Sequence, residues 1–173
     1  GFHHHGIKAD IVTVAKALGN GVPIGAVWAP VEIASAFKPG DHGSTFGGQP
    51  LAAAAACEVL RVMDEIDAPV LATEKGAELT ALLSELPGVS GVRGLGLLLA
   101  AELNEVALAG RTAAEVALAC LHAGLVVNGV TPTSLRFAPP LTVSSAELLE
   151  GVGVLASVLD APTPTDDEAE VGQ

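Results

Sequence analysis

The sequence predicts an α/β fold in two parts: short strands leading into one long helix, then a small α+β domain. Three observations support this. β-branched apolar runs such as Asp10–Ala15 are short and stop at Gly or Pro, as strands do. Pro50 and two Ser/Thr-x-x-Glu patterns, Thr112-Ala-Ala-Glu115 and Ser144-Ser-Ala-Glu147, mark helix starts. Half of the residues are apolar but only 3% are aromatic, and there is no Tyr. The core must therefore be Ala, Val and Leu, which suits helices packed closely on a sheet.

Asp10–Ala15 reads as a strand ended by Gly19-Asn20-Gly21, and Val22–Ala29 as a second strand stopped by Pro30. Val31–Phe37 suits a short helix. Lys38–Gln49, with four Gly and a Pro, suits a loop. Pro50 opens a helix from Leu51 to about Ile66, and Asp67-Ala68-Pro69 reads as a break and a domain boundary. Val70–Leu86 is helical and stops at Pro87-Gly88. Val89–Arg93 and Leu97–Leu103 are strands. A helix follows from the Thr112 capping box to Gly124, then strands over Leu125–Asn128 and Leu135–Ala138. The Ser144 capping box opens a last helix to about Leu159. The predicted division is 1–67, a domain over 68–162, and an acidic tail over 163–173 that is too polar to order.

Composition excludes several classes. The formal net charge is −12, and eight Lys and Arg are scattered singly, so no basic face is available for nucleic acid. The longest apolar stretches, around Leu51–Cys57 and Leu97–Ala101, fall far short of the roughly 18 residues a membrane helix needs. No charged-then-apolar leader is present. Cys57 and Cys120 sit in Ala-rich helical patterns, so both are expected to be buried thiols in a reducing, cytoplasmic setting. The chain begins Gly-Phe-His and enters a strand within ten residues, which reads as a piece of a longer protein whose first half lies elsewhere.

Lys16 is the most informative residue. It ends an apolar strand and precedes Ala-Leu-Gly-Asn-Gly. An ammonium held there would lose hydration and become a better nucleophile, as a lysine that condenses with a carbonyl requires. A lysine snorkelling from a strand end is the alternative. Gly43-Ser44-Thr45-Phe46-Gly47-Gly48, just before the Pro50 helix, offers hydroxyls and backbone N–H groups to an anion, or is only a flexible lead-in. Arg136, in the apolar segment Ser134–Pro140, needs a partner: a substrate carboxylate, or an internal Asp or Glu. His3, His4 and His5 lack a Cys or acidic partner at zinc-like spacing, so no metal is expected. Gly19-Asn20-Gly21 with Gly25 lacks the context of a phosphate loop and reads as a turn.

Taken together, these segments resemble the class III aminotransferases. Gly6–Gly25 resembles their lysine segment, and Phe37–Ala52 their cofactor-phosphate loop. Val92–Leu99 and Leu135–Leu141 are similar to two later segments, in the same order. The Gly-Ser-Thr-Phe-Gly-Gly loop is most like the acetylornithine type, with ornithine and succinylornithine enzymes close behind. Gln49 stands where Asn is usual.

The resemblance implies a fold-type I pyridoxal-phosphate-dependent enzyme with a mostly parallel central sheet. This chain would supply the C-terminal part of its large domain and then its small C-terminal domain. Lys16 would carry the pyridoxal phosphate and act as the catalytic base, and Thr45 would hold the cofactor phosphate of a partner subunit. Ser44 would contact the acylated substrate, and Arg136 would clamp an α-carboxylate. The implied reaction is transamination between N-acetylornithine and 2-oxoglutarate in arginine biosynthesis, by a cytoplasmic homodimer with no nucleic-acid or membrane partner. The family's acidic partner for the pyridine nitrogen, its stacking aromatic residue and a second substrate arginine lie upstream of the lysine segment, so this chain alone would be inactive. Other ω-amino acids as donors, or a non-catalytic truncated chain, are the alternatives.

Overall fold

The computed structural model describes residues 2–161, so the tail predicted over 163–173 lies outside the described residues. The chain divides into two compact units between Asp67 and Ala68.

The first unit opens with a 3-10 turn, Phe2–His5, and strand β1, Val12–Ala15. A second 3-10 turn, Lys16–Gly19, leads to strand β2, Gly25–Trp28. The two strands are antiparallel, with Val12 opposite Trp28 and Ala15 opposite Gly25. The resemblance implies a mostly parallel sheet, but the connection between these strands is too short for the crossover a parallel pair requires. Helix α1 covers only Val31–Ala34 rather than the predicted 31–37. Beyond it the chain tightens into i→i+3 bonds, Ala36 N–H to Ile33 O and Phe37 N–H to Ala34 O, and Pro39 disfavours helix at Lys38. Helix α2, Pro50–Glu65, begins at the predicted proline. It turns Ala52 and Ala56, one turn apart, inward, and leaves Leu51 and Leu60 exposed.

The second unit begins with helix α3, Ala68–Ser84. The predicted break shrinks to Asp67, at φ +46°, because Pro69 falls in the first turn of α3, where its missing N–H costs nothing. Strands β3, Val89–Leu95, and β4, Leu98–Leu103, form a hairpin that turns at Gly96, φ +55°. A short helix not predicted from the sequence follows: α4, Glu105–Leu108, capped by Asn104 Oδ1, which accepts from Ala107 N–H at 2.9 Å. Four residues are too few to show helical periodicity. Arg111 closes α4, donating to Leu108 O at 3.1 Å and Ala107 O at 3.1 Å. Helices α5, Ala113–His122, and α6, Ser145–Asp160, both start in reciprocal capping boxes at Thr112 and Ser144, as predicted.

Between α5 and α6 lie strand β5, only Asn128–Gly129, and strand β6, Ser134–Phe137. The four strands form an antiparallel sheet in the order β3-β4-β6-β5. Leu99, Ala101, Leu103, Leu135 and Phe137 are buried beneath α3 and α5, with α6 packed on both helices. Leu83, Val116, Cys120 and Leu155 complete this Ala/Leu/Val core. Helix and sheet approach closely: a Cβ on Gly76 of α3 would fall 2.2 Å from Gly96 O in the hairpin turn. The opposite face of the sheet, with Arg93, Leu98 and Arg136, is open within this unit. Cys57 is exposed rather than buried, since the inward side of α2 is taken by Ala52 and Ala56.

Candidate active site

Lys16 follows directly on β1 and enters its 3-10 turn at φ +54°. Non-glycine residues rarely adopt this left-handed region, and holding one there costs about 1–3 kcal/mol unless the surroundings fix it. Here they do. Gly19, at the end of the turn, is buried so tightly that a Cβ would fall 2.8 Å from Ile24 Cγ2. Asn20, also left-handed at φ +44°, donates its N–H to Ala17 O at 3.2 Å, and Val22 N–H reaches Gly19 O at 3.0 Å. Helix α2 lies against the same turn, with the small Ala52 and Ala56 as its buried residues.

The Lys16 side chain is exposed, so its ammonium keeps its water, contrary to the desolvation predicted from the strand end. No described element of the first unit covers it. Among the described residues, Nζ makes no hydrogen bond or ion pair. Beside it opens a hollow of about 460 Å³ lined by Ala15, Gly21, Val22, Pro23 and Ile24.

The Gly-rich loop is built in two steps. Asp41 closes its first turn by accepting from Lys38 N–H at 2.7 Å, with Phe37 and His42 edge to face at 5.1 Å. The chain then passes through Ser44 and Thr45, both exposed, and Gly48, φ +67°, into α2. Gln49 caps α2 without a side-chain hydrogen bond, so its side chain satisfies none of the first N–H groups of this 16-residue helix. Ser44 lines a second hollow, of about 400 Å³, together with Pro23, Ile24, Gly48 and Gln49. Pro23 and Ile24 border both hollows, whereas Thr45 lines neither. Uncapped N–H groups and hydroxyls at such a helix start suit an anion.

Arg136 belongs to the second unit, on the open face of the sheet, opposite Ala100 of β4 and Asn128 of β5. It is exposed, and its Nη2 donates to Asn128 Oδ1 at 3.2 Å. No acidic side chain pairs with it among the described residues, where the internal ion pair weighed from the sequence is therefore not formed. Asn128 was not predicted as a site residue, because a contact across two strands leaves no signal in local sequence.

The strong electrostatic cluster on this face lies elsewhere, around Glu102. Its carboxylate accepts from Ser134 Oγ at 2.6 Å, from Thr133 Oγ1, and from Arg93 Nη1 at 2.9 Å. These hydrogen bonds, Ser134's foremost, hold its pKa down to about 2. The cluster consumes its own donors and ties β3, β4 and β6 together. In the core, burial pushes the Cys120 thiol up, which keeps it protonated and inert. His4, His5 and the other described His, Cys, Asp and Glu form no group of three that would hold a metal ion.

The family model for class-III aminotransferases matches residues 1–159. The acetylornithine aminotransferase of Methanocaldococcus jannaschii is 41% identical over 163 residues, an alignment covering 92% of this chain and 38% of that protein. The solved acetylornithine aminotransferase of Elizabethkingia anophelis superposes with a TM-score of 0.73 at 33% identity, covering 91% of this chain and 40% of that one. An ornithine aminotransferase of Toxoplasma gondii, described with pyridoxal phosphate at its active site, superposes with a TM-score of 0.78 at 31% identity, covering 91% and 38%. The chain thus spans about two fifths of the length of these relatives. Its α/β architecture, its lysine segment and its Gly-rich loop all belong to the matched region, and the chain is a member of the class-III aminotransferases, a pyridoxal-phosphate-dependent family.

Proposed function

We propose that the complete protein transfers an amino group from N-acetylornithine to 2-oxoglutarate, giving N-acetylglutamate 5-semialdehyde and glutamate, within arginine biosynthesis. Lys16 carries the reading: a primary amine with no hydrogen-bond or ion-pair partner among the described residues, on a strained turn, beside a hollow, in a chain of this family. Strain of this kind persists where function requires it.

The residues present fit pyridoxal phosphate. Lys16 offers a free amine for an aldehyde, and the Ser44–Thr45 hydroxyls lie just ahead of an uncapped helix start, chemistry suited to a phosphate. When bound, the cofactor supplies the electron sink for cleaving the bond between hydrogen and the amino-bearing carbon. Lys16 Nζ would hold the cofactor, and the Lys16 amine would be the base that takes the proton from that carbon. Thr45 binds the cofactor phosphate of a partner subunit in a homodimer, a reading supported by its exposed position in the Gly-rich loop just ahead of α2. Ser44 meets the acyl end of the substrate. Arg136 receives its α-carboxylate, supported by a guanidinium with no acidic partner among the described residues. Cys57 and Cys120 as free thiols support a cytoplasmic setting.

A second reading, an ornithine aminotransferase, is favoured by the Toxoplasma gondii structure. Comparing kcat/KM for ornithine and N-acetylornithine decides between them. The cofactor assignment is tested by titrating pyridoxal phosphate and following the visible absorbance of the lysine-bound form. Lys16→Ala is expected to abolish that absorbance, and its survival in the variant would remove Lys16 from the site.

A further inference from the structure

We propose that Asn128 is a positioning residue for substrate binding: its neutral side-chain carbonyl aims the Arg136 guanidinium without neutralising it. The inference rests on the reading of Arg136 as the carboxylate clamp. Asn128 and Arg136 are direct cross-strand partners in β5 and β6, and Arg136 Nη2 donates to Asn128 Oδ1 at 3.2 Å. On its other side Arg136 faces Ala100, whose methyl group offers no acceptor. One donor is thereby spent on orientation, and the remaining fork of N–H groups and the full positive charge stay available to an anion.

Asn128 is itself held in place. Val127 before it is buried, and Gly129 after it presses on the start of α5, where a Cβ would fall 2.6 Å from Ala114 N. A side chain on so fixed a backbone can direct a long, rotamer-rich arginine. The same sheet shows the contrast: Arg93 is paired with Glu102 at 2.9 Å, its charge already met. An acid at position 128 would do the same to Arg136.

The test uses the complete protein with its cofactor bound and the variants Asn128→Asp, Asn128→Ala and Arg136→Ala. Three quantities are read: KM and kcat for the amino donor and 2-oxoglutarate, the inhibition constant of glutarate, a dicarboxylate that cannot react, and the melting temperature. Asn128→Asp is expected to raise KM and the glutarate constant at least about tenfold, because it sets a carboxylate against the guanidinium in competition with the substrate's own. The loss should fall on KM rather than kcat, with the melting temperature unchanged or higher. Asn128→Ala should raise the same constants about two- to tenfold, as expected for losing one neutral hydrogen bond. A purely structural asparagine predicts the reverse: Asn128→Asp neutral in KM, Asn128→Ala lowering the melting temperature alone. If Arg136→Ala weakens glutarate but neither Asn128 variant does, the positioning role is overturned. If Arg136→Ala also leaves glutarate binding intact, the carboxylate reading fails first and the inference falls with it.

Discussion

Arg136→Ala removes an exposed guanidinium whose one hydrogen bond among the described residues is to a neutral acceptor, Asn128 Oδ1 at 3.2 Å. Such a bond contributes about 0.5–1.5 kcal/mol to folding, and exposure puts it at the low end. No ion pair among the described residues is broken and no charge there is left buried, so the melting temperature should fall by only a few degrees. Against a substrate the same side chain would make charge-assisted contacts worth about 1.5–3 kcal/mol. That corresponds to a loss of roughly ten- to 150-fold in kcat/KM. The assay pairs steady-state kinetics on N-acetylornithine and 2-oxoglutarate with a thermal melt of the same complete protein. Kinetic loss without thermal loss is the expected result. Normal kcat/KM for both substrates, with an unfolding free energy lowered by several kcal/mol, would show that Arg136 serves the fold.

Lys16→Gly should abolish transamination yet leave stability unchanged or raised by about 1 kcal/mol, because glycine accepts the φ of +54° without strain; a less stable variant in a thermal melt would contradict the strain argument. Glu102, held down to about 2 when folded against an ordinary 4.5, contributes stability that is fully present above 4.5 and lost as pH falls toward 2. Glu102→Gln should therefore flatten the melting curve across that window, and superimposable wild-type and variant pH profiles would refute it. Gly76→Ala should destabilise by about 1–3 kcal/mol or more in urea, since the added Cβ meets Gly96 O at 2.2 Å. Thr112→Ala should cost about 1 kcal/mol through loss of the capping box, read in the same denaturant titration.

The sequence by itself determined whatever rests on a few neighbouring residues. Thr112–Glu115 and Ser144–Glu147 form their capping boxes, and Pro50 starts α2, because each signal needs only one turn of backbone. The ordered segments around Lys16, Ser44–Thr45, Val92–Leu99 and Arg136 were enough to place the chain among class-III aminotransferases. The apolar runs located the strands of the second unit, though not their limits: β5 pairs only at Asn128–Gly129, downstream of the apolar residues that suggested it. Strand limits follow from what lies alongside, and Gly129 pairs with Leu135 while pressed on α5.

Tertiary structure decided the rest. The left-handed Lys16 depends on Gly19 fitting under Ile24 in the same loop and on α2, distant in sequence, lying against the turn. Whether Cys57 is buried depends on which side of α2 the rest of its unit occupies, and the alanines take that side. The partner of Arg136 is an amide on another strand rather than an acid, and the acid that does pair on that face, Glu102, belongs to Arg93. Periodicity and caps are properties of a single segment; cross-strand pairing, burial and the surroundings of a charge arise only when segments are packed together, and for that reason they appear first in three dimensions.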